Sequence, residues 1–118
     1  MPQIKSVTRK RKLFSSYDIA STPLKRTLGI MFKFELDKPL LFVLDKESIL
    51  HSTIHSFFCF VRFDAIFLNS EKRIVDIKEN IAPFRPIIDP KSPSKYFIEC
   101  KAGQAKRLGM KIGEKLDW

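Results

Sequence analysis

The run STIHSFFCFVRFDAIFL, Ser52 to Leu68, decides the fold. It is the most hydrophobic stretch of the chain and far longer than a usual strand of about five or six residues. It must therefore be broken, and the expected break lies near residues 60–62. Beyond it, DAIFL (64–68), NSEK (69–72) and RIVDI (73–77) read as a β-hairpin. Asn69 is placed to tolerate positive φ in the four-residue loop.

Working outward, KPLLFVL (38–44) is a continuous apolar run that suits a strand buried on both faces, and Asp45 to Ser48 reads as a polar turn. KLFSSYDIA (12–20) is strand-like. A short helix follows, with Ser21 or Thr22 as cap, Pro23 in the first turn, Leu24 and Leu28 on one face, and Gly29 at its end. APFRPIIDPKSPSK (82–95) holds four of the seven prolines and must be an extended loop. KYFIEC (95–100) reads as a strand, AGQAKRLG (102–109) as a second two-turn helix, and KLDW (115–118) as a sheet edge. Many short strands with two small helices predict a mostly β fold: a compact β-sandwich or barrel-like single domain with two short helices. Its expected extent is 13–118, preceded by a basic N-terminal segment, 1–12, that is flexible or an edge.

Composition supports one globular domain: 118 residues, 44% hydrophobic and 30% charged, with eleven Phe residues to fill a core. The formal net charge is +9, and Lys5, Arg9, Lys10, Arg11 and Lys12 put five cations into the first twelve residues without an acid. Such a cluster is a solvated terminus or a handle for phosphate backbones. No apolar run approaches the ~18 residues of a membrane span, and no apolar stretch follows the N-terminal cations as in a signal peptide. A cytoplasmic protein is expected. Cys59 and Cys100 lack metal spacing and read as free buried thiols. Two Asn and two Gln amid abundant Lys, Arg and Ile lean towards a thermophile, where a Cys59–Cys100 bridge is the minor alternative.

Five blocks carry a resemblance. ASTPLKRTLGIMFK (20–33), PLLFVL (39–44), TIHSFFCF (53–60), DAIFLNSEKRIVDIKENIAPF (64–84) and KYFIECKAGQAKRLGMKIGEKL (95–116) follow the order of blocks in a prokaryotic family. Over about residues 18–116 the chain resembles domain of unknown function 192. The resemblance implies a compact, mostly β fold with small helices, and no established activity, substrate or cofactor. The chain departs from the family in CFVRFD (59–64), where relatives carry a proline before the aligned Asp.

His55 and Asp64 are nine positions apart, so on one uninterrupted strand they point to opposite faces. A bulge at 60–62 would bring them together, as an imidazole base oriented by a carboxylate. No nucleophile motif, oxyanion-hole glycine pattern or third metal ligand accompanies them, so no catalytic residue, metal or cofactor is assigned. Arg62 and Asp64, at i and i+2, read as an ion pair or as a grip on a polar ligand. KAGQ (101–104) is a helix start rather than a nucleotide loop. The expected function is non-enzymatic binding of a small ligand or protein partner in a groove beside strand 54–64, with His55, Arg62 and Asp64 as polar contacts. One alternative is weak nucleic-acid association through Lys5, Arg9, Lys10, Arg11 and Lys12. The other is a hydrolase or isomerase using His55 and Asp64. No membrane contact is expected, and the oligomeric state stays open.

Overall fold

Two β-sheets of unequal size pack through one shared apolar layer in the computed structural model, which describes residues 3–20, 38–49, 52, 61–85 and 87–118. Their strands are β1 (Ile4–Ser6), β2 (Arg11–Phe14), β3 (Asp18–Ala20), β4 (Leu40–Ser48), β5 (Phe63–Leu68), β6 (Ile74–Ile81), β7 (Ser94–Lys101) and β8 (Leu116–Asp117). The larger sheet runs β3-β4-β7-β5-β6 and the smaller β2-β1-β8. All pairings are antiparallel except β3 with β4. A parallel pair needs a crossover of a dozen or more residues, and 21–39 supplies that length.

The expected mostly β, single-domain architecture holds. One helix, α1 (Gln104–Arg107), occurs among the described residues, and the other expected helix, at 23–29, lies outside them. α1 is a single turn instead of two. Gly109, at φ +66°, follows its last residues, with Gly109 N–H donating to Lys106 O and Met110 N–H to Ala105 O. That crossed pair of bonds is the Schellman stop.

β5 explains the long hydrophobic run. All six of its residues are buried, because it lies between β7 and β6 with both faces covered. Phe63, Ala65 and Phe67 belong to one core layer, with Phe42, Phe97, Ile81 and Ile88. Ile66 and Leu68 belong to the other, with Leu41, Ile98, Leu13, Phe14, Leu116 and Leu108. Burying each such Phe or Leu contributes about 1.5–3 kcal/mol. Phe97 ties the first layer together, stacking on Phe42 at 4.2 Å and tilting against Phe67 at 5.7 Å.

The hairpin read from DAIFL and RIVDI is β5–β6, with Leu68 paired to Ile74. Its turn differs in detail. Positive φ falls on Lys72, at +63°, while the Asn69 carboxamide accepts hydrogen bonds from Glu71 N–H and Arg73 N–H at 3.0 Å each. Asn69 organises the loop with its side chain rather than its backbone. Asp45 to Ser48 is likewise the far end of β4 and not a turn, kept in the sheet by the Ser48–Ser94 pairing.

The basic segment is built into the fold. β1 sits between β2 and β8, so Ile4 enters the core and Lys5 faces Asp117 across the ladder. Trp118 folds back edge-on against Tyr96 at 4.9 Å, with the Lys72 ammonium 4.4 Å above its ring. No helix among the described residues is long and apolar enough to cross a membrane.

Candidate functional site

Asp64 is embedded, as its place in an apolar run requires, and its charge is met by main chain. Asn80 N–H donates to Oδ1 at 2.8 Å; Gly103 N–H and Ala105 N–H donate to Oδ2 at 3.0 Å. The strand register explains the first bond. Between the Phe63–Ile81 and Ala65–Lys78 pairs, β6 carries an extra residue, and Asn80 takes φ +51°. This bulge turns the Asn80 amide towards β5. The other two bonds fix the turn that leads from β7 into α1, where Gly103 adopts φ +91°. A side chain there would be strained, so glycine and carboxylate together define the turn.

Arg62 does not pair with Asp64. The strand starts only at Phe63, which leaves Arg62 exposed with Nη1 donating to Asn80 O at 3.4 Å. His55 lies outside the described residues, so the His55–Asp64 pair and most of the 54–64 groove lie there too. Cys59 does as well, whereas Cys100 is a free, buried thiol.

The turn anchored by Asp64 borders a cleft of about 200 Å³. One side is Leu13, Phe14, Ser15 and Ser16 at the end of β2, with Pro39 just before β4; the other is Cys100 and Lys101 at the end of β7, with Gln104 and Arg107 of α1. Cross-strand pairing puts Cys100 opposite Asp64 and Lys101 opposite Phe63, so the carboxylate stands directly behind the cleft wall. Burial pushes the Cys100 thiol well above its ordinary range, and the charges of Asp64 and Glu99 push it further. Cys100 is therefore an apolar wall atom and no thiolate nucleophile. Gln104 Oε1 accepts a hydrogen bond from the Arg107 guanidinium.

Glu99 escaped the sequence reading. It sits in the middle of β7 with Ala65 and Leu40 as cross-strand partners, 4% exposed. Burial pushes its carboxyl up to about 8. The readable signal was a carboxylate inside YFIEC, where the surrounding pattern demands an apolar residue. The cleft had no such signal, because segments far apart in the chain supply it.

The basic cluster splits into two kinds of cation. Arg9 Nε donates to Glu114 Oε2 at 2.7 Å and Nη2 to Leu108 O at 2.7 Å. Ser6 Oγ also donates to Glu114 Oε2, and Lys111 N–H donates to Oε1 at 3.1 Å. Burial opposes the Glu114 charge, but these bonds and the Arg9 charge outweigh it and hold the carboxyl below its usual range. Lys5, Lys10, Arg11 and Lys12 are exposed.

Over residues 5–118 the chain matches the family described as DUF192, Uncharacterized ACR. The match takes in most of the basic segment, which the resemblance read from sequence blocks left out. A UPF0127 protein of Pyrococcus furiosus is 34% identical over 116 residues, covering 96% of this chain and 95% of the relative. One of Pyrococcus abyssi is 39% identical over 101 residues, covering 86% and 84%. Among solved structures, a candidate transcription regulator from Sinorhizobium meliloti superposes with a TM-score of 0.85 at 26% identity, covering 98% of this chain and 89% of that one. A protein of unknown function from Novosphingobium aromaticivorans gives 0.85 at 23%, covering 98% and 82%, and shares the fold.

Proposed function

The chain belongs to the DUF192 family, and from that premise we propose that it is a non-enzymatic binding module whose site is the cleft between Ser15–Ser16 and Lys101–Arg107. The observation that carries this reading is the coupling of Asp64 to the cleft. Three backbone amides converge on a buried carboxylate whose effect is to hold the turn bearing Lys101 and Gln104. Such an internal anchor rigidifies polar side chains that would otherwise wander, which lowers the entropic cost of binding. The residues that line the cleft include Ser15, Ser16, Gln104, Lys101 and Arg107, and the Cys100 thiol is held protonated. That is equipment for recognition more than for bond making. In this reading Asp64 acts behind the wall, and Arg62 is not among the residues that line the cleft.

The test is amide chemical-shift mapping of the full chain against a panel of small polar probes: glycerol, ethylammonium, acetate and inorganic phosphate. Saturable shifts are expected at residues 13–16 and 100–107. Shifts that cluster on other surfaces overturn the assignment.

A second reading is nucleic-acid association through Lys5, Lys10, Arg11 and Lys12, supported by their exposure and by the description of the Sinorhizobium meliloti neighbour as a candidate transcription regulator. Arg9 adds little to it, since Glu114 and Leu108 already occupy its guanidinium. Each phosphate contacted contributes about 0.9 to the slope of log affinity against log salt. Replacing Lys10, Arg11 and Lys12 with Ala is expected to flatten that slope; binding to duplex DNA that ignores salt eliminates the reading.

A further inference from the structure

We infer that the ligand of the cleft is a small oxyanion, a carboxylate or phosphate group borne on a molecule of few non-hydrogen atoms. The inference rests on the cleft being the binding site and adds the chemical class that it takes. Among the described residues that line the cleft, Lys101 and Arg107 are the charged ones and none is acidic. Gln104 strengthens the bias. Its Oε1 accepts from Arg107, which leaves the Gln104 amide hydrogens and the remaining guanidinium hydrogens as donors. With Ser15 and Ser16 on the opposite side, residues able to donate hydrogen bonds line both sides of the cleft. A guanidinium whose fork is already oriented binds the planar or tetrahedral oxygens of an anion with less loss of freedom than a free one.

The negative charges nearby are handled so that they do not cancel this field. Asp64 stands behind the wall with both oxygens turned to main-chain N–H groups, whose dipoles offset its charge. Glu99, the next acid along β7, shares with Lys101 the side of the strand that faces Ala65 and Phe63, and burial raises its carboxyl to about 8. Size narrows the class further. At about 200 Å³ the cleft falls below the roughly 300–1,000 Å³ that encloses a drug-sized ligand. A phosphate or a short carboxylic acid fits, and a whole nucleotide does not.

Titration of the full chain with inorganic phosphate, succinate and the neutral probe glycerol tests this, read at the amides of Ser15, Ser16, Lys101 and Gln104. Phosphate or succinate is expected to bind saturably, and the tighter of the two identifies the anion. Lys101→Ala and Arg107→Ala are each expected to weaken binding by about tenfold or more, as for loss of a charged hydrogen bond. Lys106→Ala, exposed on α1 and outside the lining, is expected to leave affinity unchanged. Glycerol shifting these amides as strongly as the anions overturns the oxyanion class while the cleft stands. Anion shifts that persist in both variants mark diffuse attraction to a basic surface and overturn the inference. No saturable shift from any probe removes the cleft as a site.

Discussion

Asp64 and Glu99 are carboxylates on adjacent strands of one sheet, both within a few per cent of complete burial, yet they live under opposite rules. Asp64 faces the layer shared with the small sheet and α1, where three main-chain N–H groups reach it. Glu99 faces the phenylalanine layer of Phe63, Phe67 and Phe97. There, loss of solvent dominates, and its carboxyl is driven up to about 8. The difference teaches that burial alone does not fix what a carboxylate does. The surroundings decide, and one residue of strand alternation separates a carboxylate met by three main-chain N–H groups from one whose proton is held by loss of solvent.

The largest way to break the comparison is Asp64→Ala. It takes the acceptor from three main-chain N–H groups, of which that of Ala105 is buried, and a loss of roughly 2–4 kcal/mol in unfolding free energy is expected from denaturant titration. A loss below about 1 kcal/mol would mean that the anchor is no anchor. Asp64→Asn, which keeps one acceptor oxygen, is expected to lie between the two proteins.

Glu99→Gln is the smaller and sharper test, because its sign depends on pH. A group whose folded pKa is raised contributes its full stability below the unfolded value near 4.5, and that contribution is lost as pH climbs towards about 8. The Gln variant should therefore match the parent near pH 4 and exceed it by on the order of 2–3 kcal/mol at pH 7. Equal stability of the two proteins across that range would show that Glu99 is ionised without penalty, and the contrast with Asp64 would collapse.

Much of the larger sheet was legible. DAIFL and RIVDI are apolar runs divided by turn residues, and they form β5 and β6; PLLFVL opens β4. What failed there failed through details of hydrogen bonding, as when Asn69 braces its turn with a side-chain oxygen while Lys72 takes the left-handed backbone. The smaller sheet was far less legible. IKS and LD are too short to carry a periodicity, and their stability comes from partners at the other end of the chain. For the same reason Arg9 read as one more solvated cation, although its partner is Glu114. Asp64 was picked out as an embedded acid and given the wrong neighbour, Arg62, because local spacing cannot anticipate where a strand starts. Glu99 stood in plain view within YFIEC, but alternation around it was only partial.

The position of β1 between β2 and β8 has a consequence for biogenesis. The strand at residues 4–6 must wait for residues 116 and 117 before its second edge is filled. During synthesis, the amides on that edge stay unpaired while the rest of the chain emerges. Contacts this distant in sequence close slowly. The small sheet is thus a lock that turns only once residues 116 and 117 are in place, and a truncation ahead of Leu116 would leave an open seam beside β1.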